Sequence, residues 1–564
     1  MWIINITALG LFGGLLGWSL TGTEAMRKLF AYGSYYLILL MVLTWAVTGL
    51  VLLKQLAFSP RTFIRKYWPG ILAAVLLTAA VFCSVRVRFK TLSDETNLLA
   101  VSQSMARDKT CFNSTMAKYY YNNLHPFNHE IPKRPLVFPF MVSILHTICG
   151  FRHQNAFAMN FIVMFLFLAG LYAAVRRTSD AGTAVAAMLL VIACPVFTVF
   201  GTSGGFDIMN TAFFAVVMAA VFCFLKHPSP ASLAFVIASC LVCGNVRYES
   251  IMFVGLVPLL LCRKIKWPHI KGSCLVICLA PLVSLPYIWQ RILRNDAYQN
   301  PEGTAVFSIS ALAENLRTFF TNLIKFDYYL PYAGLLSAAG ILIFAWLAVH
   351  VIRKRTGFEP YQRNFMTVLA ASLGISTFLY FSHFFGVYTH PSSARFFITL
   401  SVALALSPVA MRILKPDILS GRTVLIIAAV CFCFYHPIAV EGRFINALMG
   451  NRRTEHGMMI LKRLNDRNIM VVSTHPGQFT AMGYGAVNFA WANANKDQLL
   501  KEARRRLFSK MVVFQEVSYE TGRPTPETAL PDNWRLKTIY SIQFSATEYL
   551  RASVLVVPRA EPEE

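Results

Sequence analysis

The chain has 564 residues, 56% of them hydrophobic, and a formal net charge of +25. Soluble domains hold roughly 45–50% apolar residues, and many windows here run roughly 17–22 residues almost without charge, the length that crosses a bilayer. A soluble globular class is therefore excluded. The positive balance does not argue for nucleic acid, because basic residues collect beside membrane spans on the cytoplasmic side.

The first apolar stretch, near 3–20, has no basic n-region and no small-residue cleavage site, and reads as a membrane helix. Spans near 33–56 and 69–87 follow. Lys54, Arg61, Arg65 and Lys66 place the connector between those two in the cytoplasm, so the next loop lies outside. That loop, 89–135, is the longest polar interruption in the apolar part of the chain. It opens with Asp94 and Glu95 and closes with Lys133-Arg134-Pro135. Segment 136–150 is apolar but short, and is expected as a helix lying at the outer interface.

Further spans are expected near 155–175, 182–200, 207–225, 231–247, 249–262, 273–291, 331–352, 365–387, 395–411 and 423–440. With 136–150 kept outside, the basic connectors (Arg176/Arg177, Lys226, Arg263 to Lys271, Arg353 to Arg363, Arg412 to Arg422) all fall in the cytoplasm. The outer turns at 201–206 and 388–394 carry no Lys or Arg. Basic-residue asymmetry thus gives about thirteen crossings. From Glu441 the composition turns polar. Strands are expected at 468–473, 510–517, 534–544 and 549–558, with an amphipathic helix at 496–508. The fold class is mainly α: a polytopic bundle with a small extracytoplasmic α/β domain at 441–564. Residues 1–68 form extra N-terminal helices and 69–440 the catalytic membrane portion.

Twelve cysteines are present. Eleven lie in or beside apolar spans, where cysteine behaves as a small hydrophobe. Cys240 and Cys243 form a CxxC inside an expected membrane helix and read as packing, not redox or zinc chemistry. Only Cys111 lies deep in a polar loop, so no disulfide framework is indicated.

The unusual polar residues gather at the outer ends of helices. Asp94 and Glu95 follow the third span. Asp207 opens the 207–225 span. Arg247 and Glu249 stand where 231–247 meets its successor, His383 is near the outer end of its span, and His390 and Arg395 bracket a short turn. Ionisable groups at membrane depth are costly and mark functional sites. Plainer readings stand beside this one. Asp94, Glu95 and Asp207 are well placed as helix caps. Arg247 with Glu249 fits a structural pair, and Arg395 an interface anchor. His125, His129 and Glu130 are candidate metal ligands, although Pro126 spoils a helical i,i+4 pair. Asn113-Ser114-Thr115 is a glycosylation sequon.

This order of features resembles the GT-C superfamily of membrane glycosyltransferases, in the branch of the protein O-mannosyltransferases and bacterial aminoarabinose transferases. The resemblance rests on the Asp94-Glu95 pair opening the first large outer loop, and on Lys133-Arg134-Pro135-Leu136, which matches a Lys-Pro-Pro-Leu-like motif with one departure. It rests further on Asp207 in GGFDIMNTAFF, Arg247 in GNVRYES, and Ser393-Ala394-Arg395-Phe396-Phe397. It spans about 69–412; the helices before the acid loop and the 441–564 domain are not covered by it. It implies transfer of a sugar from a polyprenyl-phosphate donor to a lipid, glycan or protein acceptor outside the membrane, with inversion. In that reading Asp94 is the base, and Glu95 or Asp207 positions the acceptor or a divalent metal ion. Lys133, Arg134, Arg247 and Arg395 would meet the donor phosphate, with Glu249, His383 and His390 accessory. A bacterial inner membrane is the expected location. The rival is a transporter or flippase for a lipid-linked or anionic solute, which would place its site near the midplane of repeated halves; no repeat is evident.

Overall fold

The computed structural model describes residues 2–120, 123–294, 305–327, 329–352, 359–446, 449–530, 534–543 and 545–556. The chain divides into two compact units. One holds residues 1–88, 135–140 and 156–447; the other holds 89–134, 141–155 and 448–564.

The first unit is helical. Among the described residues eight helices are long and apolar enough to cross a membrane, or nine if the bent pair Ala181–Ile192 and Pro195–Gly201 is one span. The other four expected spans are apolar helices of 10–17 residues: Ile4–Ser19, Pro230–Val246, Tyr248–Leu261 and Gly334–Val349. The expected straight span at 182–200 is bent by 74°, because Pro195 has no amide to continue the ladder and instead opens a new helix. The 395–411 span is also segmented, into a 3₁₀ turn Ala394–Phe397 and helices Ile398–Ala405 and Ser407–Leu414. Val137–Cys149 is a helix of 13 residues, as its short apolar pattern predicts. The basic residues Arg353, Lys354 and Arg355 lie outside the described residues.

The second unit is α/β, and residues 89–134 fold with 448–564 in it. The segment 89–135, expected as a loop, contains helix Leu92–Asp108 and a β-hairpin. The helix forms because Leu92, Leu98, Leu99 and Met105 repeat at helical spacing and are buried. The strands are β1 (Asn113–Tyr120), β2 (Asn123–Glu130), β3 (Ile469–Val472), β4 (Gly485–Val487), β5 (Lys510–Ser518), β6 (Leu536–Gln543) and β7 (Glu548–Leu555). They make one sheet in the order β2-β1-β4-β3-β5-β7-β6. β4, β3 and β5 are parallel; β1 joins β4 antiparallel, and β7 joins both β5 and β6 antiparallel.

Strand periodicity explains why β3 reads as an unbroken apolar run. Met470 and Val472 pack with Met511 and Val513 on one face, beside Leu499 and Phe489. Ile469 and Val471 pack with Val512 and Phe514 on the other, beside Ile460 and Leu461. Both faces are covered, so alternation disappears. Each fully buried aliphatic side chain contributes about 1.5–3 kcal/mol, which fixes the register. All twelve cysteines are free, including the buried Cys111.

Candidate active site

The site residues fall into two constellations, one in each unit. In the helical unit, helix Pro230–Val246 starts on a Ser229/Ser232 capping box and stops at Arg247, whose backbone is extended (φ −144, ψ 141). A 3₁₀ turn, Tyr248–Ile251, then leads into Met252–Leu261. Irregular backbone inside an apolar bundle is tolerated where it is buried in protein or lines a polar cavity. Here it aims one cation inward. Arg247 is buried; its Nη1 donates to Asp207 Oδ1 at 3.0 Å and to the Arg395 carbonyl at 3.3 Å, and its Nε donates to Glu249 Oε2 at 3.1 Å. The guanidinium carbon stands 4.6 Å from the Phe396 ring centre, a cation–π contact.

Asp207 lies in the first turn of Asp207–Lys226, and Arg247 at the C-terminal end of its helix, each where the helix dipole favours its charge. Asn160 steadies the turn before Asp207 by donating to the carbonyls of Ser203 and Gly205, both at 2.8 Å. Arg395 is buried in the 3₁₀ turn beside Phe396. A small, partly open cleft adjoins this group. Its wall is part polar, with Asn210, Glu249, Ser250 and Thr399, and part apolar, with Phe214, Met252, Phe253 and Leu400.

In the α/β unit, Asp94 and Glu95 are buried in the first turn of Leu92–Asp108. Arg134 Nη2 donates to Asp94 Oδ1 at 2.6 Å. Glu95 Oε1 accepts from the backbone amides of Lys90 at 2.9 Å and Thr91 at 2.7 Å, so this carboxylate holds the entry to its own helix. Lys133 has an exposed side chain, and its backbone amide donates to Asn97 Oδ1 at 3.2 Å.

The two constellations share a local pattern that sequence reading passed over. Asp94 and Asn97 lie three apart near the start of one helix, as do Asp207 and Asn210 in another, so each pair shares a helix face. Each aspartate takes an arginine, Arg134 or Arg247. Each asparagine pins the segment carrying that arginine, through the Lys133 amide or through Ser250 Oγ, which donates to Asn210 Oδ1 at 2.6 Å. The repeated Asp-x-x-Asn after a helix start was the available signal.

The remaining candidates are placed otherwise. His383 Nδ1 accepts from the Phe385 amide at 3.1 Å, and its ring packs on Phe307 and Phe384. His390 is exposed and pairs with Ser392 Oγ at 2.8 Å. The proposed metal ligands do not converge. His125 and His129 lie four residues apart on β2, roughly 13 Å at strand rise, and Glu130 points to the other face. His129 instead stacks on Phe112 and meets Ser114 Oγ. Among the described residues no three His, Cys, Asp or Glu side chains gather as a metal site.

Residues 133–289 match the family model described as dolichyl-phosphate-mannose-protein mannosyltransferase. No curated protein sequence matches the chain. Among solved structures, ArnT from Cupriavidus metallidurans bound to undecaprenyl phosphate superposes with a TM-score of 0.51 at 13% identity, over 87% of this chain and 98% of that one. The Archaeoglobus fulgidus oligosaccharyltransferase in its apo form gives 0.43 at 13% identity, over 80% of this chain and 70% of that one.

Proposed function

We propose that this chain, a multi-pass membrane glycosyltransferase of the GT-C superfamily, transfers a sugar from a polyprenyl-phosphate donor to a lipid, glycan or protein acceptor on the extracytoplasmic side of a bacterial inner membrane. The observation that carries this reading is the buried Arg247, fixed at a helix break by Asp207, Glu249 and the Arg395 carbonyl beside a cavity with polar and apolar walls. A planar guanidinium suits a phosphate bidentately. The hydroxyl-bearing wall would take the phosphate and sugar, and the apolar wall the first prenyl units. The ArnT structure, bound to undecaprenyl phosphate, supports the donor class on the same fold.

The reaction follows from the groups available. Asp94 takes the proton of the acceptor hydroxyl. The hydroxyl oxygen forms a bond to the anomeric carbon as the bond from that carbon to the phosphate oxygen breaks, and one displacement inverts the centre. The electron pair of the broken bond leaves with the polyprenyl phosphate, whose added charge is met by Arg247 and Arg395, with Lys133 and Arg134 as further cations. General-base assistance of this kind contributes typically 10²–10⁴-fold. Glu95, tied to two backbone amides, positions the helix that carries Asp94. Mass spectrometry of cell-envelope lipids and glycans, with and without the gene, tests the assignment. A sugar-modified species should vanish on deletion and return on complementation; an unchanged glycan profile with altered lipid-linked sugar sidedness would favour a flippase.

A further inference from the structure

One end of the sheet in the α/β unit is crowded with cations. β3 and β5 are parallel, with Ile469 level with Lys510. β6 runs in the same direction two strands further on, and its registers through β7 bring Arg535 level with Lys510, roughly 10 Å away across two strand spacings. Arg467, Lys510 and Arg535 therefore open three strands at the same end. The turn that feeds β5 adds Arg504, Arg505 and Arg506. Arg506 holds a left-handed backbone (φ 57) to make that turn, a conformation that costs a non-glycine residue energy. All six side chains are exposed.

Among the described residues at this end, the acids Asp466 and Glu502 are already engaged. Asp466 accepts from the Asn468 amide and from Ser509 Oγ. Glu502 pairs with Lys118 at 2.9 Å and also accepts from Tyr120 and Gln498. Among the described residues none of the six cations has a carboxylate partner. Like charges held this close repel in water, so their collection on one face fits a polyanionic partner.

The same end lies beside the residues that lead into the membrane. Arg467 acts electrostatically on His153, one residue before the apolar helix Gln154–Thr178 begins. A Cβ added at Gly483, just before β4, would meet the Phe151 ring at 3.6 Å. Ile144 and Ile148 of the Val137–Cys149 helix are exposed nearby in the chain. Cations held within a Debye length of a bilayer, about 8 Å at physiological salt, feel its surface charge.

We infer that the sheet end built from Arg467, Arg504, Arg505, Arg506, Lys510 and Arg535 docks on anionic lipid headgroups of the adjacent leaflet. The partner is a lipid surface bearing phosphate charge, and the contact orients the α/β unit at the interface. It is independent of the donor site.

Hydrogen exchange on the full chain in nanodiscs tests this, comparing phosphatidylcholine alone with phosphatidylcholine plus phosphatidylglycerol. Segments 465–468 and 503–510 should gain protection in the anionic discs and lose it at high salt. Arg504→Gln/Arg505→Gln/Arg506→Gln should cut that protection about tenfold, with exchange of β3 unchanged as the sign of an intact fold. Should the triple variant not fold, Lys510→Gln/Arg535→Gln gives the same comparison. Equal protection in both discs, or protection that survives neutralisation, overturns the proposal. So does equal protection of these segments in neutral discs by a soluble sulfated polysaccharide, which would assign the face to a glycan.

Discussion

Asp94 and Arg247 require different substitutions, because the first is proposed to act on a proton and the second on a charge. Asp94→Asn keeps shape and can still accept from Arg134, so the helix start should survive while transfer falls roughly 10²–10⁴-fold. Donor affinity should change little; turnover and donor binding measured on the same preparation separate the two. Arg247→Ala removes the partner of two carboxylates, and breaking a buried pair costs about 3–5 kcal/mol. Its loss of donor binding would therefore be mixed with loss of stability. Arg247→Lys keeps the charge and loses the bidentate fork; it should remain folded in a thermal melt and bind donor more weakly. Glu95 behaves as a structural residue in this geometry. Glu95→Gln retains an acceptor for the Lys90 and Thr91 amides and should keep most activity, whereas Glu95→Ala should lose about 1–3 kcal/mol of stability.

At the scale of elements, the packing of helix Val137–Cys149 on Leu92–Asp108 includes a titrating group. Asn155 Nδ2 donates to His146 Nδ1 at 2.8 Å, and His146 Nε2 lies 3.1 Å from Ser102 Oγ. Burial pushes His146 down to about 4 from an ordinary 6.5. The folded value lies below the unfolded one, so the unfolded chain takes up the proton first. Above 6.5 the group adds no pH dependence; as pH falls from 6.5 toward 4 it progressively removes stability. Exchange protection of 92–108 should drop across that window, and His146→Gln should flatten the drop. A window unchanged by the substitution would mean another group controls it.

The elements also show what sequence reading can and cannot reach. Long uncharged runs mark the eight longest apolar helices among the described residues, because length and charge are local properties; four further expected spans are shorter helices. The bend at Pro195 was harder, since a span with a proline inside it reads the same whether straight or broken, whereas the break at Arg247 falls where the sequence already divides 231–247 from 249–262. The segment 89–135 was read as a loop for a related reason. β1 and β2 hold Pro126, several asparagines and few aliphatics, so alternation is faint. Their place is set by β4, a strand from residues far along the chain. Asp207, Arg247, Glu249 and Arg395 were singled out one by one as charges at helix ends, and the structure brings all four together. Asn97 and Asn210 were missed because asparagine near a helix start is ordinary until its partner is seen.

For the whole molecule, the shared sheet changes what a truncation would do. The Asp94 helix belongs to the unit that contains 448–564. A chain ending at Glu441 loses β3 to β7 and leaves the β1–β2 hairpin without its neighbour. Its 89–134 segment should become protease-sensitive, and transfer should fall even though the membrane helices remain. Retention of wild-type transfer by such a truncation would show that the sheet is dispensable to the reaction.

Transfer of sugar from a lipid phosphate with Asp94 as base couples product formation to release of the lipid phosphate. The most direct measurement is a single-turnover reaction of the purified protein in proteoliposomes with a polyprenyl-phosphate sugar and envelope lipid or glycan extract, following product and freed polyprenyl phosphate together. The wild-type protein should release the two in equal amounts, and Asp94→Asn should bind donor while releasing neither at a comparable rate. Near-wild-type turnover by Asp94→Asn, or donor crossing the bilayer with no sugar–acceptor product in the wild type, would contradict the account.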